Sequence, residues 1–482
     1  RVWIPEGEGP FPLVLIVHGN HNMTDFSDTG YAYLGELLAS RGFIFVSVDE
    51  NFLNGGLWGT SSGENDARAW LLLKHLEVWR EWSHDAGSPF YHKVDMSQIA
   101  LIGHSRGGEA AALAASFNHL PRYPNDARKS WEFNFNIRSV IAIAPVDEQW
   151  RPADHPNPLK DVNYLVLQGS HDGDVYYFDG IQQYDRINFS GDDPDVFKAA
   201  VYIYRANHSQ FNTSWGNTDK SGIIGYFLNR RALLPEAEQR QIAKVYISAF
   251  LEATLKDKTV YRDIFEDYRN AGNWLPQTGY ICQYEDPGMR FVADFEEDID
   301  VTTTSIAGGE IVSLSLNRWR ELAPRFRNQE RQDNHVVRLG WSSTSAYYAL
   351  DLPAGFNWGI EQDSLFVFKV ADARQPEGVE QGLDFSIVLV DEDNQRAEVH
   401  LSDVLPLHTQ FPALINKMPV WNEEYYKDSS EEVFQTYRIP LKVFLEDYPS
   451  LDLSNLRQIR FEFDRVPSGT IYLDDIGFDL LH

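Results

Sequence analysis

Six segments within the first 210 residues are apolar and β-branched almost without interruption: "PLVLIVHG" (12–19), "FIFVSVDE" (43–50), "QIALIGHS" (98–105), "SVIAIAPV" (139–146), "NYLVLQGS" (163–170) and "AAVYIYRANH" (199–208). A strand is apolar at every position only when both of its faces are covered. The intervening "YAYLGELLASRG" (31–42), "ENDARAWLLLKHLEVWREW" (64–82) and "GEAAALAASFNHL" (108–120) read as helices. Strand and helix repeated in this way predict an α/β architecture, a mainly parallel sheet with helices on both faces.

The pattern changes twice along the chain. Residues 235–258 begin with Pro and acids and end in lysines, as a helix should. Ile242, Val245, Tyr246, Ala249 and Phe250 recur on one face of it, so it should close over the sheet. Residues 211–233 before it read as an insertion bordering a cleft. From about residue 288 the helical signal stops, and short segments such as "SLFVFKV" (364–370), "FSIVLVDE" (385–392), "IRFEFDR" (459–465) and "GTIYLDDIGF" (469–478) alternate with Pro, Gly, Asp and Asn turns. That predicts an all-β sandwich or jelly roll. The expected division is therefore 1–280 and 288–482.

Charge narrows the partners. With 42 Lys and Arg against 71 Asp and Glu, the formal net charge is −29. Such a surface opposes nucleic acid and anionic membranes and suits a neutral or insoluble substrate. No run of 18 apolar residues is present, so no spanning helix is expected. The one cysteine, Cys282, reads as a packed thiol. The chain starts at Arg1 close to a core strand, from which upstream residues are expected, and an extracellular or periplasmic location fits.

The chemistry concentrates at "IALIGHSRGGEAAALAA" (99–115), where Gly103-His104-Ser105-Arg106-Gly107 fits a nucleophile elbow, G-x-S-x-G, between a buried strand and a small-residue helix. A serine hydroxyl needs a base to take its proton. In this fold the order is serine, acid, histidine, each just past the carboxyl end of a strand. "NYLVLQGSHDGDV" offers Asp172, with Asp174 as the alternative acid, and "YRANHSQF" offers His208 as the base. The oxyanion hole needs two backbone N–H groups, expected from Arg106 and from Asn20 in "VHGNHN". His18 and His21 with Asp49 lack the spacing of a tight metal cluster, so His18 should pack beneath the hole. Trp150, Phe52 and Trp58 are candidates to wall the cleft, with loop packing as their other reading.

"HGN", "GHSRGG", "GSHDGDV" and "ANHSQF", in that order, resemble the α/β-hydrolase superfamily over roughly residues 1–260. The likeness is nearest to its chlorophyllase, dienelactone-hydrolase and cutinase-like polyester-hydrolase branch. It implies carboxylic ester hydrolysis through an acyl-serine, with Ser105 as nucleophile, His208 as base, Asp172 as its orienter, and no cofactor for catalysis. The sequence departs from bacterial polyester hydrolases in its His18-Gly19-Asn20 turn, where those have Pro-Gly-aromatic. It also lacks a tryptophan directly after Pro145, and it has no disulfide pair. Plant cell-wall esters, polyesters and small lipid-like esters compete as substrates. Amide or peptide cleavage on the same residues is the runner-up, and a catalytically dead binding scaffold is the reading from another class.

"FVADFEED" (291–298) and "IRFEFDRVPSGTIYLDDIGFDL" (459–480) resemble the first and last strands of carbohydrate-binding jelly rolls. That resemblance implies a polysaccharide partner and a structural calcium on Glu296 and Asp474 or Asp475, against which solvated strand-end acids are the plainer reading. Exposed Trp319, Trp341, Trp358 and Trp421 would stack on sugar rings, although burial in a core is commoner for tryptophan. The sequons at Asn22, Asn188 and Asn207 read as chance, because a glycan on Asn207 would block His208.

Overall fold

The structure, a computed structural model, describes residues 1–54, 63–191, 193–375 and 382–480. It divides into two compact units: Arg1–Tyr280 with Ala413–Tyr426, and Ile281–Pro412 with Lys427–His482. The sequence placed 413–426 in the β domain. Instead it packs with the first unit, and part of it is a helix, Pro419–Tyr426.

The first unit is built on β1 (Val2–Trp3), β2 (Phe11–Val17), β3 (Ile44–Val48), β4 (Val94–His104), β5 (Ile137–Ile143), β6 (Asn163–Gly169) and β7 (Lys198–Ile203). Their order is β1-β3-β2-β4-β5-β6-β7. Only β1 runs antiparallel to its neighbour, and β2 to β7 are parallel. Burial explains the sequence pattern: β3, β6 and β7 are buried at every position, because helices cover both faces. Those helices are α1 (Ala32–Ser40), α2 (Asn65–His84), α3 (Arg106–Phe117) and α4 (Glu236–Leu255). Ile242, Tyr246 and Phe250 of α4 are fully buried, as a closing helix requires.

The second unit holds two antiparallel sheets. We label β8 (Met289–Ala293), β9 (Glu310–Leu314), β10 (Leu316–Leu322), β11 (Val336–Trp341), β12 (Tyr347–Asp351), β13 (Leu365–Asp372), β14 (Ser386–Asp391), β15 (Arg396–His400), β16 (Gln435–Pro440), β17 (Leu456–Glu462) and β18 (Gly469–Asp479). One sheet has the order β10-β11-β18-β13-β16, with β8 also paired to β18; the other runs β9-β12-β17-β14-β15. Phe366 and Phe368 of β13 meet Phe461 of β17 with ring centroids 6.3 and 5.3 Å apart, so the core lies between the sheets.

The structure does not gather the three carboxylates considered for calcium. Glu296 pairs with His335 at 3.0 Å, Asp474 accepts from Asn334 at 2.7 Å, and Asp475 pairs with Lys369 at 2.5 Å. Among the described residues no group of three or more His, Cys, Asp or Glu side chains is arranged to hold a metal ion. Trp341 is not an exposed platform either. It is buried, stacked on Phe463 at 4.2 Å, and its Nε1 donates to the Val466 carbonyl at 3.0 Å. Trp319 and Trp358 are half-buried, and Trp421 belongs to the first unit. Cys282 is buried.

Candidate active site

β4 ends at His104 and α3 begins at Arg106, leaving Ser105 alone at the corner with φ 58° and ψ −127°. An L-residue is held there only by its surroundings, at a cost of about 1–3 kcal/mol. The surroundings are its glycines. A Cβ on Gly103 would overlap the Gly107 carbonyl, and one on Gly107 would sit 2.6 Å from the Val17 carbonyl oxygen. Strand and helix therefore close tightly around the serine. Ser105 is 5% exposed, and a Cβ on Gly19 would meet its Cβ at 2.5 Å and its Oγ at 3.0 Å. The elbow and the His18-Gly19-Asn20 turn are thus in contact, with Arg106 N–H in the first turn of α3.

Beyond β6, the turn at 170–175 is organised by Asp172. Its Oδ1 accepts the N–H groups of Asp174 and Val175 at 2.8 and 2.7 Å, and its Oδ2 faces His208 Nδ1 at 2.8 Å. His208, just past β7, has only 4% of its side chain exposed. Burial alone would lower His208, but Asp172, then Asp174 and Asp219, outweigh it and raise it to about 9. Burial pushes Asp172 up, while His208 pulls the other way. Asp172, not Asp174, is the buried partner of Nδ1. Asp174 stands at the opposite nitrogen, its Oδ2 3.7 Å from His208 Nε2, and it pairs with Lys220. Partial burial would raise Asp174, but His208 and Lys220 hold it below the usual carboxylate range.

Sequence reasoning missed Asp219. Its carboxylate accepts from Gly173 N at 2.8 Å, His208 N at 3.2 Å, Ser209 N at 2.8 Å and Asn207 Nδ2 at 2.7 Å, tying the two loops that carry Asp172 and His208. Trp215 was missed too. Its ring stacks on His21 at 5.1 Å and on His208 at 6.1 Å, and lies 4.5 Å from His104. Both come from the 211–233 insertion, and nothing local in that sequence marks them. A cleft of about 700 Å³ is lined by Asn20, His21, Asp174, His208, Trp215, Asp219, Lys220 and Tyr226, among others. Ser105 is not in its lining, but the His104 and His208 rings, 4.9 Å apart, bring the elbow beside it.

The remaining candidates fall elsewhere. His18 is buried, accepts Glu50 N–H on Nε2 at 3.0 Å and faces the Gly19 carbonyl through Nδ1 at 2.8 Å. Burial lowers it to about 4, so it is a neutral packing group. Trp150 packs on Phe117 at 5.5 Å and Tyr123 at 6.1 Å, away from the cleft lining. Phe52 is largely exposed, and Trp58 lies outside the described residues. Asn207 is buried, bonded to Asp219 and Gln239. No described helix is long and apolar enough to cross a membrane.

No family model matches the chain. Among curated proteins it is similar to the cutinase est1 of Thermobifida alba, 29% identical over 156 residues, which is 30% of this chain and 49% of that one. It is also similar to cutinase 2 of Thermobifida cellulosilytica, 30% identical over 151 residues, 29% of this chain and 53% of that one. A bis(hydroxyethyl) terephthalate hydrolase of Streptomyces coelicolor is 28% identical over 157 residues, 32% of this chain and 45% of that one. These similarities support a cutinase-like α/β-hydrolase fold for the N-terminal part. The chain spans about half the length of the curated relatives it matches.

Proposed function

We propose that the chain is a serine carboxylic ester hydrolase that acts through an acyl-serine on bulky or polymeric esters, polyesters first among them. The observation that carries this reading is the buried His208–Asp172 pair at 2.8 Å beside a serine held in a left-handed elbow. The similarity to cutinases and to a terephthalate-ester hydrolase supports the ester class.

In this reading Ser105 Oγ attacks the ester carbonyl while His208 Nε2 takes its proton. Asp172 holds Nδ1–H and steadies the imidazolium. The developing oxyanion is met by the N–H groups of Asn20 and Arg106, the latter at the positive end of α3. His208 then returns the proton to the departing alcohol, and a water, deprotonated by the same nitrogen, releases the acid from the acyl-serine.

The test is hydrolysis of p-nitrophenyl acetate, butyrate and decanoate by wild type and Ser105→Ala, with fluorophosphonate labelling of both. Loss of turnover and label together in Ser105→Ala is the expected result. Equal rates in both proteins would remove Ser105 from the chemistry.

A further inference from the structure

Beside the catalytic cleft lies a second cavity, of about 360 Å³, lined by Tyr176, Ile223, Ile224, Phe227, Trp421 and Tyr426. Asp174 and Lys220 line both cavities, so the two adjoin across that ion pair. One wall is the short helix Gly222–Phe227 of the insertion. The other is Ala413–Tyr426, which sequence alone assigned to the β domain.

That far wall is part of the first unit's own packing. Leu228 and Asn416 form an antiparallel bridge, Asn229 N donates to the Ile415 carbonyl at 2.7 Å, and Lys417 N donates to the Phe227 carbonyl at 2.9 Å. Leu228, Ala413, Ile415 and Tyr426 share one small core, with Tyr176 packed against it. Edge-to-face pairs set the rings: Tyr176 on Tyr426 at 5.4 Å and Phe227 on Trp421 at 4.7 Å. The rim is unusually apolar for a surface, since Ile223 is 80% and Ile224 60% exposed.

We infer that this cavity is a subsite for an aromatic ring carried by the ester, and that Trp421 and Ile224 set this specificity. The inference rests on the ester-hydrolase reading above. Its volume lies near the low end of the roughly 300–1,000 Å³ of small-molecule pockets, which fits one ring better than a polymer strand. Aromatic walls in offset and edge geometry favour a ring over an alkyl chain of equal length. Asp174, shared by both cavities, is 3.7 Å from His208 Nε2, so the subsite borders the histidine that takes the serine proton in the proposed reaction.

The experiment compares kcat/KM by pH-stat for two matched pairs, with ethyl acetate as reference. Ethyl 3-phenylpropanoate against ethyl hexanoate tests a ring on the acid, and benzyl acetate against hexyl acetate tests a ring on the alcohol. Wild type should prefer the ring in one pair by about tenfold. Trp421→Ala, and Ile224→Trp at an exposed position that does not endanger the fold, should abolish that preference while ethyl acetate turnover stays within about twofold. No ring preference in either pair, or a preference that survives both variants, overturns the inference while leaving the esterase standing. Should no ester be hydrolysed, the esterase reading fails separately. Saturation-transfer NMR with 3-phenylpropan-1-ol then decides the subsite: a transfer signal on the ring protons that disappears in Ile224→Trp supports it, and no such signal in wild type overturns it.

Discussion

In the proposed mechanism Asp174 sits at the nitrogen of His208 that receives the serine proton, and neutralising it should move the pH profile of ester hydrolysis. At 3.7 Å, a carboxylate and an imidazolium attract by about 4.5 kcal/mol at an effective dielectric of about 20, and by about 1 kcal/mol in water. Asp174 is 38% exposed and shares its charge with Lys220, so the lower end applies, about 1–1.5 kcal/mol, or roughly one pH unit. His208 is raised to about 9, and a base must be neutral, so kcat/KM should climb with pH through a limb near that value. The other titratable groups acting on His208 are Asp172, Asp219, His21 and His104, and all remain in Asp174→Asn. The substitution removes the negative charge and leaves Lys220 as an unneutralised cation, and both changes favour neutral imidazole. The limb should fall by about one pH unit, and turnover at pH 7 should rise several-fold, to about tenfold at most. Lys220→Met should shift the limb the opposite way, because it frees Asp174 to act at full charge. The assay is p-nitrophenyl acetate hydrolysis from pH 5 to 10, corrected for the uncatalysed rate. A limb that stays put in both variants, or moves upward in Asp174→Asn, would refute the electrostatic argument.

Three further outcomes are expected. Asp172→Asn keeps an acceptor for the Asp174 and Val175 N–H groups but cannot hold the imidazolium, so kcat should fall by about 10³–10⁴-fold with the melting temperature little changed. Asp219→Ala strands four donors around the Asp172 and His208 loops, and calorimetry should register a loss of about 3 kcal/mol or more alongside reduced turnover. Glu109, on α3, accepts from Asn65 and from Trp150 N, and burial raises it to about 8 from an ordinary 4.5. The folded state then keeps a proton that the unfolded chain releases, so stability drains away as pH rises from 4.5 through 8. Glu109→Gln should melt higher than wild type at pH 8 and nearly level with it at pH 4.5, helped by Asn65 Oδ1, which is buried without a partner and can turn to accept the new amide. A gap of the same size at both pH values would contradict that sign.

What the sequence made legible followed from local rules. The six apolar runs end within a few residues of β2 to β7, except that β4 starts earlier, because covering both faces of a strand leaves no polar position to blur the signal. The pairing of Asp172 with His208 was readable from the order of strand ends, and Gly103 and Gly107 marked the elbow by their spacing. Asp219 and Trp215 were not readable, since their roles arise where loops converge from different strands. "PVWNEEYY" carried Pro at its first helical position, yet its place among β-strands left it inside the expected β domain. Trp341 was misjudged because β11 is buried on both faces, so alternation does not tell which tryptophans reach solvent.

The return of Ala413–Tyr426 to the first unit alters how the chain can be divided. The backbone passes between the units three times, after Tyr280, after Pro412 and after Tyr426, where a tandem pair of domains would pass once. A protein cut at residue 280 would keep Ser105, Asp172 and His208 but lose Trp421 and Tyr426. Removing the sandwich by a single cut would therefore also strip the first unit of one wall of its apolar cavity.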